Sequence, residues 1–288
     1  MDWSSYAEIW PSAEASRFVE ARPHRWHVQE IGAEDAPRIL LLHGTGGATH
    51  SWRDVAPRLG TDYRVIVPDL PGHGFTKLGA LQRSSLELMT DDLMALVERL
   101  GAPPDAIVGH SSGAALALRM AQRGPTPPRA IVGINAALEP FAGAAGWLFP
   151  MIAKALASNP FTAPAVARMT TERSVKSLIE GTGSQLDPLG LALYRACISD
   201  AGHVDGALTM MAQWRLDGLT DALPNTTIPT LLLTGAADRS VPPDVSVRAA
   251  DRMPQARHER FDGLGHLAHE EAPEAVTKRI AEFLDEAL

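Results

Sequence analysis

A Gly-His-Ser-Ser-Gly pentapeptide at residues 109–113 constrains the fold of this chain more than any other stretch. It directly follows the apolar run at residues 106–108 and precedes a helical pattern at residues 114–122. A sharp turn from a strand into a helix crowds its own backbone, so small residues are needed two positions before and after its central serine. The sequence therefore predicts a strand, a tight turn and a helix, with Ser111 raised above the end of a sheet.

The chain alternates between short apolar runs and helical patterns, as βα units do when they build a parallel sheet. The clearest helix is predicted at residues 86–100, where apolar residues recur at helical spacing and Gly101 follows. Two segments near the start, residues 17–21 and 26–31, predict an antiparallel hairpin. We therefore expect an α/β fold with a mostly parallel central sheet flanked by helices. The remaining strands are predicted at residues 39–42, 65–67, 106–108, 130–134, 230–233 and 257–261.

Nearly a hundred residues between the strands at 130–134 and 230–233 show helical patterning, which is too long for an ordinary connection. The pattern predicts a helical cap at residues 136–221, inserted into a core of residues 1–135 and 222–288 and seated over the active site at the carboxyl ends of the strands. Most apolar side chains of this cap should pack on the sheet, and a minority should line a pocket for a bulky apolar ligand. These side chains are Phe141, Trp147, Leu148, Phe149, Met151, Ile152, Phe161, Met210, Met211 and Trp214.

Composition excludes several classes of function. The formal charge of −8, without a Lys/Arg cluster, argues against a nucleic-acid partner. The lone cysteine, Cys197, can form neither an internal disulfide nor a thiolate metal site. No signal peptide or lipidation motif is visible at the start, and the apolar run at residues 140–153 is too short to span a bilayer. The expected location is the cytoplasm.

A serine hydroxyl becomes a useful nucleophile only when a neighbouring base takes its proton and a third group orients that base. In folds that carry the nucleophilic serine on a sharp strand-to-helix turn, the acid and then the histidine follow later in the chain, each after a strand. Asp238 follows the apolar run at residues 230–233, and His266 follows the strand-like residues 257–261. We therefore predict Ser111 as nucleophile, His266 as base and Asp238 as the orienting acid.

Alternatives to these assignments remain open at the level of sequence. Asp238 alone reads equally well as a turn or cap residue. Asn135, after the earlier strand, cannot hold the charge that the acid needs. His269 is a competing base, and the pair of His266 and His269 lacks a third ligand at the spacing of a metal site. The sequence predicts no metal and no cofactor.

A glycine-rich loop after the strand at residues 39–42 suits the oxyanion of an acyl-transfer intermediate. In this loop, His-Gly-Thr-Gly-Gly at residues 43–47, the backbone N–H of Thr45 is the predicted first donor, and the N–H of Ser112 the second. The loop lacks the lysine of a phosphate-binding loop, and the glycine fingerprint of a nicotinamide enzyme is absent. The turn at residues 69–74 is interpreted as structural, with His73 as a packing residue.

Several longer strings carry a more particular similarity, which covers nearly the whole chain. Through them the chain resembles the α/β-hydrolases of the magnesium-chelatase accessory protein family of bacteriochlorophyll biosynthesis. The fold motifs are shared with many esterases, whereas the strings from the cap region are far more particular and decide the family. The strings are His43-Gly-Thr-Gly, His50-Ser-Trp-Arg-Asp-Val-Ala-Pro, Asp69-Leu-Pro-Gly-His-Gly-Phe-Thr, Gly181-Thr-Gly-Ser-Gln-Leu-Asp, His203-Val-Asp-Gly-Ala-Leu-Thr-Met-Met-Ala and Gly263-Leu-Gly-His-Leu-Ala-His-Glu-Glu.

The resemblance implies an α/β-hydrolase fold and a role near magnesium insertion into protoporphyrin. It implies a porphyrin or chlorophyll-type ester as substrate, contact with a magnesium chelatase subunit, and a place peripheral to photosynthetic membranes. Two hypotheses follow: a serine hydrolase or acyl transferase, and a non-catalytic protein that binds a porphyrin or the chelatase. Halide removal and epoxide opening are disfavoured because they use aspartate at the position of Ser111, whereas peroxidase-like and lyase activities stay open.

Overall fold

The computed structural model describes residues 1–140 and 154–288, and its centre is one sheet of eight strands. The strands follow each other across the sheet in the order β1-β2-β4-β3-β5-β6-β7-β8. The α/β fold predicted from the sequence is confirmed. The strands are β1 (Ser16–Ala21), β2 (His24–Ile31), β3 (Arg38–Leu42), β4 (Arg64–Pro68), β5 (Ala106–His110), β6 (Ala130–Ile134), β7 (Thr230–Gly235) and β8 (Ala256–Phe261).

Strands β3 to β8 run parallel, whereas β1 and β2 form the predicted hairpin and β2 joins β4 in antiparallel pairing. Every residue of β5, β6 and β7 is buried, which explains why these strands appear in the sequence as continuous apolar runs and not as alternating patterns. The observed strands begin and end within three residues of the predicted bounds.

Helices cover both faces of the sheet. One apolar cluster joins the sheet to α2, α3 and α9, and a second joins it to α1 and α11. The helix expected at residues 86–100 is α2, which begins after Ser85, whose side chain accepts a hydrogen bond from the Leu88 N–H. The helices of the described residues are α1 (Ala56–Leu59), α2 (Leu86–Arg99), α3 (Ser112–Arg123), α4 (Thr162–Met169), α5 (Glu172–Gly181), α6 (Pro188–Ile198), α7 (Ala201–Gln213), α8 (Asp217–Ala222), α9 (Asp244–Arg252), α10 (Ala268–Glu271) and α11 (Pro273–Ala287).

Helices α4 to α8 lie between β6 and β7, and the described part of this stretch contains no strand. Met210 of α7 is fully buried and belongs to the cluster that joins the sheet to α2 and α3. Phe161, by contrast, is 77% exposed. The division into a core and a cap at residues 136–221 stays a prediction. Six of its proposed apolar residues, Phe141, Trp147, Leu148, Phe149, Met151 and Ile152, lie outside the described residues.

The described residues contain no helix with both the length and the apolar character that a bilayer crossing needs.

Buried histidines are concentrated where the loops at the carboxyl ends of the strands pack together. Burial lowers the pKa of each below the ordinary value, to about 3 for His50 and His269 and to about 4 for His203. These side chains are therefore neutral in the folded protein at pH 7. The set comprises His43, His50, His73, His110, His203 and His269.

One buried carboxyl titrates in the opposite sense. Glu270 of α10 accepts hydrogen bonds from Ser51 Oγ (2.6 Å) and from the hydroxyl of Tyr194 of α6 (2.7 Å). Burial raises the pKa of Glu270 to about 7. Its contribution to stability is therefore complete below about pH 4.5 and is lost as the pH rises towards 7.

We predict that acid unfolds this protein readily. A histidine whose pKa is lowered in the folded state stabilises it above about pH 6.5, and this contribution is lost as the pH falls towards the folded-state pKa. Each such group changes the free energy of unfolding by up to about 1.4 kcal/mol per pH unit. Because six histidines oppose one glutamate, urea unfolding at pH 7 and at pH 5 should show a large loss of stability at pH 5.

The variant His50→Gln is the matched control, because it removes one titrating side chain from the set. The free energy of unfolding of this variant should fall less steeply between pH 7 and pH 5. The difference from the unaltered protein should not exceed the contribution of one titrating group, about 1.4 kcal/mol per pH unit. Equal stability of the unaltered protein at pH 7 and pH 5 would contradict the prediction.

Candidate active site

The turn between β5 and α3 has the backbone geometry that the pentapeptide predicts. Ser111 has φ 53° and ψ −118°, a backbone conformation that residues other than glycine rarely adopt. A Cβ at Gly109 would lie 2.3 Å from the carbonyl oxygen of Gly113, and one at Gly113 would lie 2.2 Å from the carbonyl oxygen of Leu42. Both positions therefore require glycine, because any side chain would push the turn away from the neighbouring backbone.

The structure brings together the three residues predicted to form the triad. His266 Nε2 lies 3.0 Å from Ser111 Oγ, and His266 Nδ1 lies 2.8 Å from Asp238 Oδ2. Asp238 follows β7 and His266 follows β8, so both come from loops at the carboxyl ends of parallel strands. Since an ionised carboxylate can only accept, Nδ1–H donates to Asp238 and Nε2 is left to accept the Ser111 proton.

The Asp238 carboxylate accepts four hydrogen bonds. Its Oδ1 accepts from the backbone N–H groups of Ser240 (2.7 Å) and Val241 (2.9 Å). These bonds are those of a turn residue, which was the alternative interpretation of Asp238. Its Oδ2 accepts from His266 and from Asn135 Nδ2 (2.6 Å). Asp238 therefore stabilises its own turn and also binds the imidazole of His266, so the interpretation as a turn residue and the interpretation as the orienting acid are compatible.

Asn135 is a site residue that the sequence reasoning missed. The sequence analysis excludes Asn135 as the acid, because its amide carries no charge, and assigns it no other role. It lies directly after β6 in the left-handed region (φ 48°), and its backbone N–H donates to Leu233 O (2.8 Å). This places its side-chain amide against Asp238. Its position at the carboxyl end of the strand beside β5 was the available signal.

Among the described residues, His269 makes no hydrogen bond to Ser111. It is fully buried between the rings of Trp52 and His110, and its Nε2 lies 3.3 Å from Ser51 Oγ. His110 donates from Nε2 to the carbonyl oxygen of His266 (2.8 Å), which fixes the backbone of the proposed base. Of the two candidate bases, only His266 faces the serine.

The glycine-rich loop packs directly on the serine turn. A Cβ at Gly44 would lie 3.0 Å from Ser111 Cβ, so the close approach of the loop depends on this glycine. Thr45 and Ser112 are adjacent, as their predicted roles require. The Thr45 N–H, however, donates to the Ser112 side chain, with 2.9 Å between Thr45 N and Ser112 Oγ. The first predicted oxyanion donor therefore has an internal acceptor in this structure.

Helix α7 holds two loops of the site through His203, a second residue that the sequence reasoning missed. His203 Nε2 donates to Gly46 O (3.0 Å), and its Nδ1 accepts from the Gly74 N–H (2.9 Å). A Cβ at Gly206 of α7 would lie 2.0 Å from Gly72 O, so the helix and the turn at residues 69–74 are in backbone contact. The helix therefore holds the loop at residues 43–47 in place.

The turn at residues 69–74 is built around a buried carboxylate. Asp69 accepts from the N–H groups of Thr49 (2.6 Å) and Phe75 (2.8 Å) and from His27 Nδ1 (2.8 Å). Burial alone would raise the pKa of Asp69, but these donors, with His27 foremost, hold it below the usual value. His73 packs between the rings of His43 and His203, which agrees with its interpretation as a packing residue.

Within residues 1–140 and 154–288, no three His, Cys, Asp or Glu side chains are grouped as the ligands of a metal ion would be.

We predict that Gly113→Ala destabilises the fold, because its Cβ would lie 2.2 Å from the backbone oxygen of Leu42 and neither partner can move freely. The free energy of unfolding should fall by about 3 kcal/mol. A urea denaturation curve measures the change.

Gly181→Ala is the matched control, because a Cβ at this helical position meets nothing within 4 Å. It should be neutral or stabilising by about 0.5 kcal/mol. Equal stability of the two variants would contradict the crowding argument.

Comparisons with known proteins agree with the fold. The model of a family described as alpha/beta hydrolase fold matches residues 37–273. The chain is 45% identical to the "Magnesium-chelatase 30 kDa subunit" of Rhodobacter capsulatus, over 99% of this chain and 100% of that protein. It is 29% identical to a "2-hydroxymuconate semialdehyde hydrolase" of Pseudomonas putida, over 96% of each. The crystal structure of a putative lipase from Acinetobacter baumannii AYE superposes with a TM-score of 0.82 at 20% identity, covering 100% of this chain and 97% of that one.

Proposed function

The chain belongs to the α/β-hydrolase family and is related to the magnesium-chelatase 30 kDa subunit, and from this premise we propose that it is a serine hydrolase acting on a carboxylic ester. The observation that carries the proposal is the continuous relay from Ser111 Oγ through His266 to Asp238, at 3.0 and 2.8 Å. A packing role for these three residues would not need a serine held in a strained backbone conformation at the end of such a relay.

In the proposed reaction, Ser111 Oγ attacks the ester carbon while His266 Nε2 takes the serine proton. The carbonyl oxygen then carries a negative charge, which the N–H groups of Thr45 and Ser112 stabilise. His266 returns the proton to the leaving alcohol, and an acyl group remains on Ser111. Water, activated by the same histidine, releases the acid, whereas another alcohol in its place would make the protein an acyl transferase.

The proposed substrate is an ester of a bulky apolar molecule of tetrapyrrole type. Two observations support this class. The relative with 45% identity carries the name of a magnesium-chelatase subunit, which places that protein beside tetrapyrrole chemistry. The helices between β6 and β7 also bring apolar side chains to the site, since Met210 Sδ lies 3.3 Å from Thr45 Oγ1.

A second candidate function is that of an accessory protein that binds a magnesium chelatase subunit without catalysis. The observation that favours it is an apolar groove of about 450 Å³ between α4 and α5, which contains Val166, Met169 and Leu178. Met169 is 77% exposed, as is the neighbouring Phe161. Exposed apolar surface of this extent is typical of a protein interface. The alternative partner for this face is the photosynthetic membrane, which would contact the same exposed apolar side chains.

We predict that a fluorophosphonate labels the protein once, on Ser111. The reagent phosphonylates only a serine whose proton is taken by a base, so intact-mass analysis should show one adduct on the unaltered protein and none on Ser111→Ala. Folded, unlabelled protein would refute the proposed hydrolase.

We predict that Asn135→Ala slows this labelling about tenfold. Loss of the 2.6 Å donor to Asp238 frees the carboxylate to turn and loosens its hold on His266, and a hydrogen bond to a charged group contributes about 1.5 kcal/mol or more. The rate of adduct formation measures the effect. Asn225→Ala, at an exposed position, is the control and should react at the unaltered rate.

The two candidate functions separate in cells that lack the natural gene. We predict that Ser111→Ala fails to restore pigment synthesis, whereas Met169→Ser, in the groove, restores it. The reverse pattern would favour the accessory role, because the groove and not the serine would then be required. Both variants should first be shown to unfold at the same temperature as the unaltered protein.

A further inference from the structure

The side chain of Ser112, the residue after the proposed nucleophile, lies between the two elements that form the oxyanion site. Its Oγ lies 2.9 Å from Thr45 N and 3.0 Å from Thr45 Oγ1. Thr45 Oγ1 lies in turn 3.3 Å from Met210 Sδ of α7. Ser112 is 5% exposed, so this arrangement is almost closed to solvent.

The direction of each proton in this arrangement follows from the chemistry of the groups. A backbone N–H can only donate, so Thr45 N–H donates to Ser112 Oγ. A thioether sulfur carries no proton, so the Thr45 hydroxyl donates to Met210. The Ser112 hydroxyl then donates to Thr45 Oγ1. The protons of the Thr45 amide, the Thr45 hydroxyl and the Ser112 hydroxyl are thus all used within the protein.

This engagement conflicts with the proposed role of Thr45. An amide has one proton, and the Thr45 amide donates it to Ser112 Oγ over 2.9 Å. It cannot stabilise a substrate oxyanion at the same time. The Ser112 N–H is different, because the first amides of a helix have no acceptor within the helix. The resting site therefore offers the oxyanion one of its two expected donors.

We propose that the Ser112 hydroxyl is an internal latch on the oxyanion hole, which the substrate's carbonyl oxygen must displace before Thr45 can act. The proposal rests on the hydrolase function proposed above. Rotation about the Cα–Cβ bond of Ser112 moves Oγ away from Thr45 without any change of backbone. Helix α7 steadies the closed state from the other side, through Met210 on Thr45 and His203 on Gly46.

The latch makes the opposite prediction from a supporting role. If Ser112 Oγ competes for the Thr45 N–H, then Ser112→Ala removes the competitor and improves the binding of an oxyanion. If Oγ only supported the loop, or donated to the oxyanion itself, the same variant would bind an oxyanion less well. The sign of the change therefore distinguishes the two roles.

The test uses phenylboronic acid on the full chain, with fluorophosphonate labelling as the first step. Boron forms a bond to Ser111 Oγ, the serine proton passes to His266, and the tetrahedral boronate carries the negative charge with no leaving group. We expect Ser112→Ala to bind it about threefold to tenfold more tightly than the unaltered protein, the range of one exchanged hydrogen bond. The kcat/KM for p-nitrophenyl butyrate should rise by a similar factor.

Two further variants control the comparison. Ser112→Thr retains the hydroxyl and should restore the weaker binding of the unaltered protein. Ser246→Ala removes another buried serine hydroxyl, one without a hydrogen-bond partner among the described residues, and should change nothing. If Ser112→Ala merely loosened the serine turn, kcat/KM would fall and the boronate would bind more weakly.

The outcomes separate this proposal from the one on which it rests. Unlabelled wild-type protein would overturn the hydrolase and the latch together. Labelled protein whose Ser112→Ala variant binds the boronate equally or more weakly would overturn the latch alone. Labelling of both proteins with tighter binding by the variant supports the latch.

Discussion

The close backbone contact between the start of α3 and the end of β3 is the constraint on which the rest of the site depends. Gly113 allows the helix to approach the carbonyl of Leu42 at a distance that no side chain would permit. This contact puts the serine turn beside the loop at residues 43–47, so the serine hydroxyl and both predicted oxyanion amides share one small volume. The strained backbone of Ser111 is held by hydrogen bonds, because its N–H donates to Ile134 O (2.9 Å) and its carbonyl accepts from the Ala137 N–H (3.1 Å).

The parallel sheet supplies the remaining groups. Because parallel strands end at the same edge, the residues that follow β6, β7 and β8 meet beside the serine, although Asp238 and His266 lie more than a hundred positions after Ser111 in the chain. The Asp238 carboxylate is the point where they meet, since it accepts from Asn135, from its own turn and from His266. Four donors on one buried carboxylate leave it a single orientation, and this orientation aligns the imidazole with Ser111.

Helix α7 connects the stretch between β6 and β7 to this arrangement through hydrogen bonds. His203 forms hydrogen bonds with the loop at residues 43–47 and with the turn at residues 69–74, and Met210 accepts the hydroxyl proton of Thr45. The string that begins at His203 is also one of those that carry the family resemblance. The presence of His203 and Met210 in this string has a physical explanation. A change in either side chain would alter the position or the hydrogen bonding of Thr45, the predicted oxyanion donor.

The sequence by itself determined the α/β fold, the order of the strands along the chain and the serine turn, and it predicted that Ser111, Asp238 and His266 lie together. These follow from local patterns, namely buried runs, glycines at a crowded turn and polar residues directly after strands. Only the tertiary structure shows the contacts of Asn135 with Asp238, of His203 with Gly46 and of the Ser112 hydroxyl with Thr45, and it shows that His266, not His269, lies within hydrogen-bond distance of Ser111. Each of those depends on which side chains meet across the ends of different strands and helices. No local pattern encodes such a meeting, because it is created only when the elements pack.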